Sequence, residues 1–379
     1  MIYLDNAATS FPKAPGVADA VVHCLTAVGA NPGRASHPMA LEGSRLLFQA
    51  REACAALLGI ADPRRLVFTG NATEALNLAI LGRVPAGGRV ILGSLEHNAV
   101  LRPLRHLEAE RGVRLRVVPF DPCGRPELPA LRAALAEGAD LMVLNAASNV
   151  TGGLAPVAEI AALCRSARVP LCLDASQWAG QRPLAIADLG IALVAFPGHK
   201  GLLGPAGTGG LHIAEGFEPE PLLRGGTGSA SESEHQPREL PDRFESGTAN
   251  LPGLAGLGAA ARWLTGTGLD RVQALESGLC DQLLRGLAAL PGVTVHGPGP
   301  GQPRAPLVSI SVAGRDLGEL ALELDRRAIA VRVGLHCAPA AHRSLGTLAA
   351  GGTLRFSPGP FTTPAEINEA LAAMEAILA

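Results

Sequence analysis

Residues 193–201 read Leu-Val-Ala-Phe-Pro-Gly-His-Lys-Gly, an apolar run that ends in a lysine flanked by glycines. A short apolar run closed by proline and glycine is typical of a buried β-strand that opens into a loop. Between residues 15 and 257, similar runs alternate with amphipathic helical patterns, which indicates βα units around a mostly parallel sheet. The other predicted strands of this sheet are residues 65–68, 89–92, 141–145 and 171–174.

The remainder of the chain has a different pattern. A helical segment is predicted at 254–290, and the Gly/Pro-rich residues 297–306 then indicate a connection. The last helix is predicted to begin after Thr363, with a proline in its first turn. Short strands are predicted at 307–312, 331–333 and 353–356. The sequence thus predicts an α/β fold in two parts: a large domain, 15–257, and a smaller α+β domain made of 1–14 and 258–379.

Composition excludes several classes of protein. Of the 379 residues, 47% are hydrophobic and 17% are charged, and the formal net charge is -2, so a large apolar core is expected and a nucleic-acid partner is disfavoured. No apolar run approaches the roughly 20 residues of a membrane span, and the first residues lack the pattern of a signal peptide. The seven cysteines are scattered and form no CxxC pair, which disfavours a disulfide framework or a zinc site. We expect a cytoplasmic protein without a metal site or a membrane partner.

Lysine is scarce in this chain. Lys13 and Lys200 are its two lysines, and arginine takes the place of lysine elsewhere as the positively charged residue. A lysine amine forms a Schiff base with a carbonyl compound, which a guanidinium does not do under ordinary conditions. Lys13 lies in a proline-rich stretch predicted to be an exposed turn, whereas Lys200 follows a predicted strand, where a parallel sheet opens its ligand crevice. The sequence therefore favours covalent chemistry at Lys200 over the plainer interpretation of a surface lysine.

A carboxylate ends the preceding predicted strand. Asp174 closes this strand, and Gln177 follows three residues later. An aspartate here often only caps a helix. A pyridoxal ring, however, needs a carboxylate at its pyridine nitrogen to act as an electron sink, and an amide can donate to its ring oxygen. With Lys200 downstream, these residues make pyridoxal phosphate the predicted cofactor.

Two further strand ends carry candidate cofactor residues. Residues 69–74 read Thr-Gly-Asn-Ala-Thr-Glu, a helix start whose backbone amides and Thr73 hydroxyl suit a phosphate, although many helices begin this way without a ligand. His97 also follows a predicted strand. It could stack on the cofactor ring, but an isolated histidine is more often a polar loop residue.

Three residues are candidates for substrate chemistry. Asn149 follows a strand, and Arg355 lies inside an apolar strand, where an unpaired guanidinium would be costly. The fork of Arg355 suits a substrate carboxylate, although a structural ion pair explains it equally well. Cys337 lies in residues 332–339, Arg-Val-Gly-Leu-His-Cys-Ala-Pro, a Gly/Pro-bounded loop that is typical of a nucleophilic thiolate.

In this order the residues resemble the class V aminotransferase branch of the fold-type I pyridoxal-phosphate enzymes, and within it the cysteine desulfurase and selenocysteine lyase group. The resemblance runs nearly end to end and rests on an ordered set of short motifs. These are residues 3–8 (Tyr-Leu-Asp-Asn-Ala-Ala), 71–74 (Asn-Ala-Thr-Glu), 96–98 (Glu-His-Asn), 148–150 (Ser-Asn-Val), Asp174 with Gln177, 198–200 (Gly-His-Lys), 244–248 (Phe-Glu-Ser-Gly-Thr), 332–339 and Arg355.

The resemblance implies a role for each matching residue. Lys200 would carry the cofactor as a Schiff base and move the substrate proton, and Cys337 would attack the sulfur or selenium of the substrate. The residues implied to hold the cofactor are Asp174 at the pyridine nitrogen, Gln177 at the ring oxygen, His97 stacked on the ring, and Ala72, Thr73 and His199 at the phosphate. Thr248 matches a threonine that the neighbouring subunit donates to the phosphate, so a homodimer is implied. The residues implied to bind the substrate are Asn149, Arg355 and His37, the last reaching the partner's site.

The loop around Cys337 resembles the group in which this loop is short and ordered. A persulfide on such a loop cannot swing far, so a sulfur- or selenium-acceptor protein would come to the site. The chain departs from the family pattern at Pro197, where a phosphate-binding serine is common, and at Leu335, where a histidine is common. These departures put the phosphate contact and the tuning for the substrate in doubt.

The implied reaction is removal of sulfur or selenium from L-cysteine or L-selenocysteine to give L-alanine. The alternatives on the same scaffold are a selenocysteine-specific lyase and another reaction of the class V aminotransferase type, such as transamination. A transamination would have no need for Cys337. A non-catalytic sulfur-relay or scaffold protein ranks lower, because drift would have been expected to break at least one of the matching motifs.

Overall fold

The computed structural model describes residues 1–32 and 37–379. The strands are β1 (Ile2–Tyr3), β2 (Leu66–Thr69), β3 (Arg89–Gly93), β4 (Arg114–Val118), β5 (Leu141–Asn145), β6 (Leu171–Asp174), β7 (Leu193–Pro197), β8 (Gly209–Ile213), β9 (Val293–His296), β10 (Val308–Val312), β11 (Ile329–Ala330), β12 (Arg332–Gly334) and β13 (Thr353–Phe356). The α-helices are α1 (Val17–His23), α2 (Pro38–Leu57), α3 (Ala72–Arg83), α4 (Asn98–Arg111), α5 (Leu128–Ala136), α6 (Val157–Ala167), α7 (Ile186–Leu189), α8 (Leu251–Thr267), α9 (Leu269–Ala289), α10 (Leu317–Arg326), α11 (Pro339–Leu345) and α12 (Pro364–Leu378).

The central sheet has seven strands in the described part of the chain, in the order β2-β8-β7-β6-β5-β3-β4. The neighbours from β7 to β4 are all parallel, and β8 runs antiparallel to both β7 and β2. Every residue of β5, β6 and β7 is buried, as expected for parallel strands covered by helices on both faces. The predicted α/β fold with a mostly parallel sheet is confirmed.

Uninterrupted apolar runs located the buried strands well. Each strand predicted from the sequence agrees with an observed strand to within one residue at either end. Two strands of the central sheet were missed, for different reasons. Strand β4 lies at the edge of the sheet and alternates arginine with apolar residues, and β8 begins with Gly209 and Gly210, which are turn signals in a sequence.

The segment predicted to be helical at 254–290 is helical, but it is not one continuous helix. The structure has two helices there, α8 and α9, and they are separated by Gly268. Gly268 has a φ of 85°, a left-handed conformation that ends α8 and that a residue with a side chain rarely adopts. In the described residues, no helix is both long enough and apolar enough to cross a membrane.

A second sheet has the order β12-β13-β10-β9 and is antiparallel throughout. Its core is formed with α9, α10 and α12. Helix α12 begins after Thr363 with Pro364 in its first turn, as predicted, and the structure adds a capping box between Thr363 and Glu366. The strands of the central sheet lie within 15–257, and those of the second sheet lie within 258–379. The exact domain boundaries stay a prediction.

The N-terminal segment touches both sheets. Strand β1 pairs in parallel with β11, and the amide of Ala7 donates to the Ser357 hydroxyl, just beyond β13 (3.0 Å). On the other side, the amide of Ser10 donates to the carbonyl of His199 (2.9 Å), beyond the end of β7. The segment therefore holds the end of β7 beside the second sheet.

Candidate active site

Polar side chains meet in one cavity at the carboxyl edge of the central sheet. Asn145 ends β5, Asp174 ends β6, and Lys200 lies three residues beyond β7. Since the carboxyl ends of parallel strands share an edge, residues far apart in the chain come together there. The cavity is lined by Asn71, Ala72, Thr73, His97, Ala99, Asn145, Asn149, Asp174, Ser176, Gln177, Pro197, His199 and Lys200. The structure thus brings together all the predicted cofactor residues except Thr248, and it adds Asn149.

Lys200 has an unusual electrostatic environment. Burial lowers the pKa of the Lys200 amine to about 8, although the nearby carboxylate of Asp174 opposes this shift. Asp174 is 2% exposed, and its Oδ1 accepts a hydrogen bond from the Ser176 amide (2.9 Å). A neutral amine is therefore accessible near pH 8, which is the form required for covalent and proton-transfer chemistry.

His97 is the N-cap of α4. Its Nδ1 accepts a hydrogen bond from the Ala99 amide (3.0 Å), so Nε2 carries the proton when the ring is neutral. Burial lowers the pKa of His97, against the opposing charge of Asp174. The ring is therefore held in a fixed orientation on the wall of the cavity.

The N-terminus of α3 supplies backbone donors. The Asn71 side chain accepts from the Glu74 amide (2.9 Å), and Glu74 in turn accepts from the Gly70 amide (2.7 Å). This leaves the first amides of the helix, at Ala72 and Thr73, without helical acceptors, and the positive end of the helix dipole faces the same place. His199 lies nearby, and burial lowers its pKa to about 4 with help from the charges of Lys200 and Lys13. The site suits a phosphate.

Two buried amide oxygens on the cavity wall have no hydrogen-bond partner among the described residues. They are Oε1 of Gln177 and Oδ1 of Asn149. The nitrogen of Gln177 donates to the Ala7 carbonyl (2.8 Å), and that of Asn149 donates to the His336 carbonyl (2.7 Å). Because an unpaired buried acceptor costs free energy, these oxygens indicate positions where a ligand supplies donors.

Arg355 is one of the largest fully buried side chains. It forms an ion pair with Asp5 (2.9 Å) and donates to the Asn149 carbonyl (3.0 Å), while its Nε has no partner among the described residues. The structure thus shows the structural ion pair that the sequence left open. Its place beside Asn149 also leaves the prediction of a substrate-carboxylate contact standing.

The Cys337 loop is short and held at several points. Residues His336 and Cys337 both have left-handed backbone conformations, with φ of 48° and 57°. The Cys337 carbonyl accepts from the Asn98 amide (2.8 Å), next to His97, and the Asn149 side chain holds the preceding carbonyl. Beneath the loop, the buried His336 ring contacts Thr353 on β13 (3.0 Å to Oγ1). Cys337 is exposed, whereas every other cysteine is buried except Cys123, which is half-buried. The thiol therefore stands in a fixed place next to the cofactor cavity.

Arg355 and Cys337 adjoin the cavity without lining it, and two further predicted site residues lie apart from it. Thr248 is exposed and lines a separate groove with Thr69, Gly70 and Glu74, which adjoins the start of α3 from another side. His37 is the exposed N-cap of α2, where its Nδ1 accepts from the Ala40 amide (3.3 Å). The residues before it, 33–36, lie outside the described residues. Both roles were predicted for the neighbouring subunit and stay predictions.

Sequence reasoning misplaced Lys13 and overlooked Glu96. Lys13 is half-buried and not in an exposed turn: its Nζ donates to the His199 carbonyl (3.1 Å) and the Ser10 hydroxyl (3.0 Å), and burial lowers its pKa to about 8. Glu96 is 1% exposed, and burial raises its pKa to about 8. Its Oε1 accepts from the Asn145 amide (3.0 Å), so a largely neutral carboxyl supports the floor of the cavity. The scarcity of lysine was a signal for Lys13, whereas Glu96 was quoted only as part of the motif 96–98 and was given no role.

The polar groups of the cavity fit pyridoxal phosphate. They include a buried amine, a buried carboxylate on the next strand, helix amides for a phosphate and unpaired amide oxygens. Among the described residues, no cluster of histidine, cysteine or carboxylate side chains could hold a metal ion.

Comparisons with known proteins agree with this geometry. The family model described as aminotransferase class-V matches residues 2–370. A probable cysteine desulfurase from Methanothermobacter thermautotrophicus is 32% identical, over 97% of this chain and 92% of that protein. Among solved structures, the apo structure of a cysteine desulfurase from Thermococcus onnurineus has a TM-score of 0.93 at 31% identity, covering 100% of this chain and 94% of that one. The cysteine desulfurase CsdA from Escherichia coli, in its S-sulfonic acid form, has a TM-score of 0.88 at 27% identity, covering 100% and 95%. The chain therefore belongs to the class V aminotransferase family, in the branch that contains the cysteine desulfurases.

Proposed function

We propose that the protein is a pyridoxal-phosphate-dependent cysteine desulfurase that releases L-alanine from L-cysteine and keeps the sulfur on Cys337 as a persulfide. One observation carries the proposal. An exposed cysteine stands on a loop whose carbonyls are held by Asn98 and Asn149, the first beside His97 and the second on the wall of the cofactor cavity. Relatives named as cysteine desulfurases along almost the whole chain support the same reaction.

Residues of the cavity would hold the cofactor at three places. The amides of Ala72 and Thr73, with His199, would hold its phosphate, Asp174 would lie at its pyridine nitrogen, and Lys200 would attach it. When bound, pyridoxal phosphate makes the α-proton of the substrate acidic and takes up the electrons that its loss releases. A carboxyl group at that nitrogen, the place implied for Asp174, would favour this.

Lys200 moves the proton. With its pKa lowered to about 8, roughly a tenth of its amine is neutral at pH 7, and this neutral form accepts the α-proton at Nζ. Arg355 orients the substrate through its carboxylate, because its guanidinium keeps an unpartnered Nε, and Asn149 positions that guanidinium by accepting a hydrogen bond at its backbone carbonyl (3.0 Å). Asp5 balances part of the charge of Arg355, which allows that arginine to stay buried.

Cys337 then accepts the sulfur. Its thiolate attacks the substrate sulfur, a new S–S bond forms, and the bond between that sulfur and the β-carbon breaks. The electron pair of the broken bond remains with the carbon skeleton, which is protonated and leaves as alanine. The left-handed backbone at His336 and Cys337 fixes the direction of approach.

The proposal includes a homodimer in the cytoplasm. Thr248 lies outside its own cavity, in a groove that adjoins the start of α3, and a neighbouring subunit is where its predicted phosphate contact would be made. All seven cysteines are unpaired, which suits a reducing compartment. Selenocysteine would fit the same site, because selenium and sulfur are attacked in the same way.

The test is an assay of alanine formation from cysteine and from selenocysteine with the wild type, Cys337→Ala and, as a matched control, Cys123→Ala. We expect Cys337→Ala to lose on the order of a hundredfold or more of its rate on cysteine, since it lacks a group that acts in bond breaking. The control should keep the wild-type rate, because Cys123 lies outside the cavity.

Each alternative predicts a different result. Full activity of Cys337→Ala on cysteine would remove the persulfide mechanism. Activity on selenocysteine alone would favour a selenocysteine-specific lyase, and formation of a keto acid instead of alanine would favour transamination. A folded wild type that binds no pyridoxal phosphate would leave only a non-catalytic role.

A further inference from the structure

A groove of about 510 Å³ lies beside the Cys337 loop and shares no lining residue with the cofactor cavity. On one side it is formed by α11, through Pro339 and Ala340, the second and third residues after Cys337. On the other side it is formed by α4, whose Asn98 donates its amide to the Cys337 carbonyl (2.8 Å). A molecule seated in the groove therefore lies close to the loop that carries the exposed Cys337.

The charged side chains that line the groove, among the described residues, are all positive. Arg102 and Arg105 line it from α4, and Arg343 lines it from α11. All three are exposed, and no carboxylate is among the described residues that line the groove. Arg105 is partly compensated by Glu108 (2.6 Å), while Arg102 and Arg343 form no ion pair within the described part of the chain. This cluster is notable in a chain of net charge -2.

The groove also has an apolar strip. Leu101 of α4, Val117 of the edge strand β4 and Pro339 contribute to it, and Val117 is 44% exposed. Apolar contacts flanked by arginines are typical of protein–protein recognition, and they favour a protein over a nucleic acid or a free anion.

The loop makes such a partner necessary. The bonds from Asn98 and Asn149, with that from the Ala338 amide to the Leu335 carbonyl (2.8 Å), hold the Cys337 backbone in place. A sulfur atom on Cys337 therefore cannot be carried to a distant acceptor, and the acceptor has to approach.

We propose that this groove docks the sulfur acceptor, an acidic protein segment that carries a thiol between carboxylate side chains. The proposal rests on the proposed function, because it requires a persulfide on Cys337. The acceptor thiolate attacks the outer sulfur of the persulfide, a new S–S bond forms on the acceptor, and the old S–S bond breaks with Cys337 leaving as a thiolate. No external oxidant or reductant is consumed.

The experiment uses holoenzyme that has reacted once with cysteine and has then been freed of substrate. Two short cysteine peptides of equal length serve as probes, one flanked by glutamates and one by lysines, with dithiothreitol as an uncharged thiol. Mass spectrometry follows the loss of the persulfide from Cys337. We expect the acidic peptide to discharge it about tenfold faster than the basic one at low salt, and the difference to shrink as salt is added.

The groove variant is the double substitution Arg105→Glu with Arg343→Glu. Arg102 is left intact, because its charge contributes to the field at His97. The control variant, Arg271→Glu with Arg326→Glu, has the same net charge and changes exposed arginines that do not line the groove. We expect the groove variant to lose the preference for the acidic peptide, the control to keep it, and dithiothreitol to discharge all three proteins at one rate.

Several results would overturn the docking proposal while the proposed function survives. These are a persulfide that both peptides discharge equally, an equal response of the two double variants, or a change in oligomeric mass of the groove variant alone, which would make the groove a subunit interface. A wild type that never carries a persulfide on Cys337 would overturn both proposals.

Discussion

Lys200 shows how one residue obtains its reactivity from its surroundings. Burial lowers the pKa of its amine to about 8 from the usual value of 10.5, while Asp174 limits the shift. Burial disfavours the charged form of the amine, so the neutral form, which is the nucleophile, becomes available at a lower pH than in water. Without Asp174 the charged form would be still less favourable.

This environment predicts the pH dependence of cofactor attachment. The rate at which apoprotein gains its bound-cofactor absorbance should rise about tenfold per pH unit below pH 8 and level off above it, because the neutral fraction of Lys200 follows that profile. Lys13→Arg is the control, since burial gives Lys13 a similar pKa of about 8 outside the cavity. The control should retain the profile, and Lys200→Arg should give no covalently bound cofactor. A midpoint near 10.5 in the wild type would contradict the effect of burial.

At the scale of elements, β12, β13 and the loop between them determine where Cys337 stands. Gly352 precedes β13 with a φ of 110°, and a Cβ at this position would lie 2.1 Å from the carbonyl oxygen of Gly334, at the end of β12. Gly351 also has a positive φ, 79°, but a Cβ there would meet no atom within 4 Å. Alanine at Gly351 would therefore introduce backbone strain alone, whereas alanine at Gly352 would add a steric collision with β12.

We therefore expect Gly352→Ala to lower the free energy of unfolding by about 1–3 kcal/mol from strain and to reduce turnover further, because β12 and the attached Cys337 loop must shift. Gly351→Ala should lose about 1 kcal/mol and keep the wild-type rate per folded molecule. Urea unfolding and alanine formation measure the two quantities. Equal turnover in the two variants would show that β12 does not position the cysteine.

At the scale of the whole molecule, the N-terminal segment joins the two sheets. Its Asp5 forms an ion pair with Arg355 of β13, whose side chain is only 2% exposed, while its Ala7 and Ser10 bind residues near both sheets. A buried guanidinium without its partner is strongly destabilising, whereas an exposed pair contributes little.

Asp5→Asn should therefore lower the free energy of unfolding by about 2–4 kcal/mol, because Arg355 keeps its charge in a buried place. The matched control is Asp62→Asn, which weakens the exposed pair with Arg64 but keeps an oxygen that can cap the Arg64 amide. The control should change the stability by less than about 1 kcal/mol. Chemical denaturation at neutral pH compares them, and similar losses would mean that the N-terminal segment does not join the sheets through this pair.

The sequence alone determined the central strands, the order of the motifs and the candidacy of Lys200. Buried parallel strands leave uninterrupted apolar runs, and their carboxyl ends share one edge of the sheet, so Asp174 and Lys200 could be placed together before any contact was known. Strand β4 at the sheet edge and strand β8, which begins with glycines, were not predicted, because their residues do not form uninterrupted apolar runs. Gly268, which divides the helical segment, was one glycine among many.

Only the tertiary structure decided the contacts that cross between elements. The pairing of Arg355 with Asp5, 350 residues away in the chain, the burial of Glu96 and the placement of Lys13 against His199 depend on distances that periodicity does not encode. The setting of Cys337 is of the same kind. Its loop could be predicted from glycine and proline, but its place beside an arginine-lined groove exists only because α4 and α11 border that groove together.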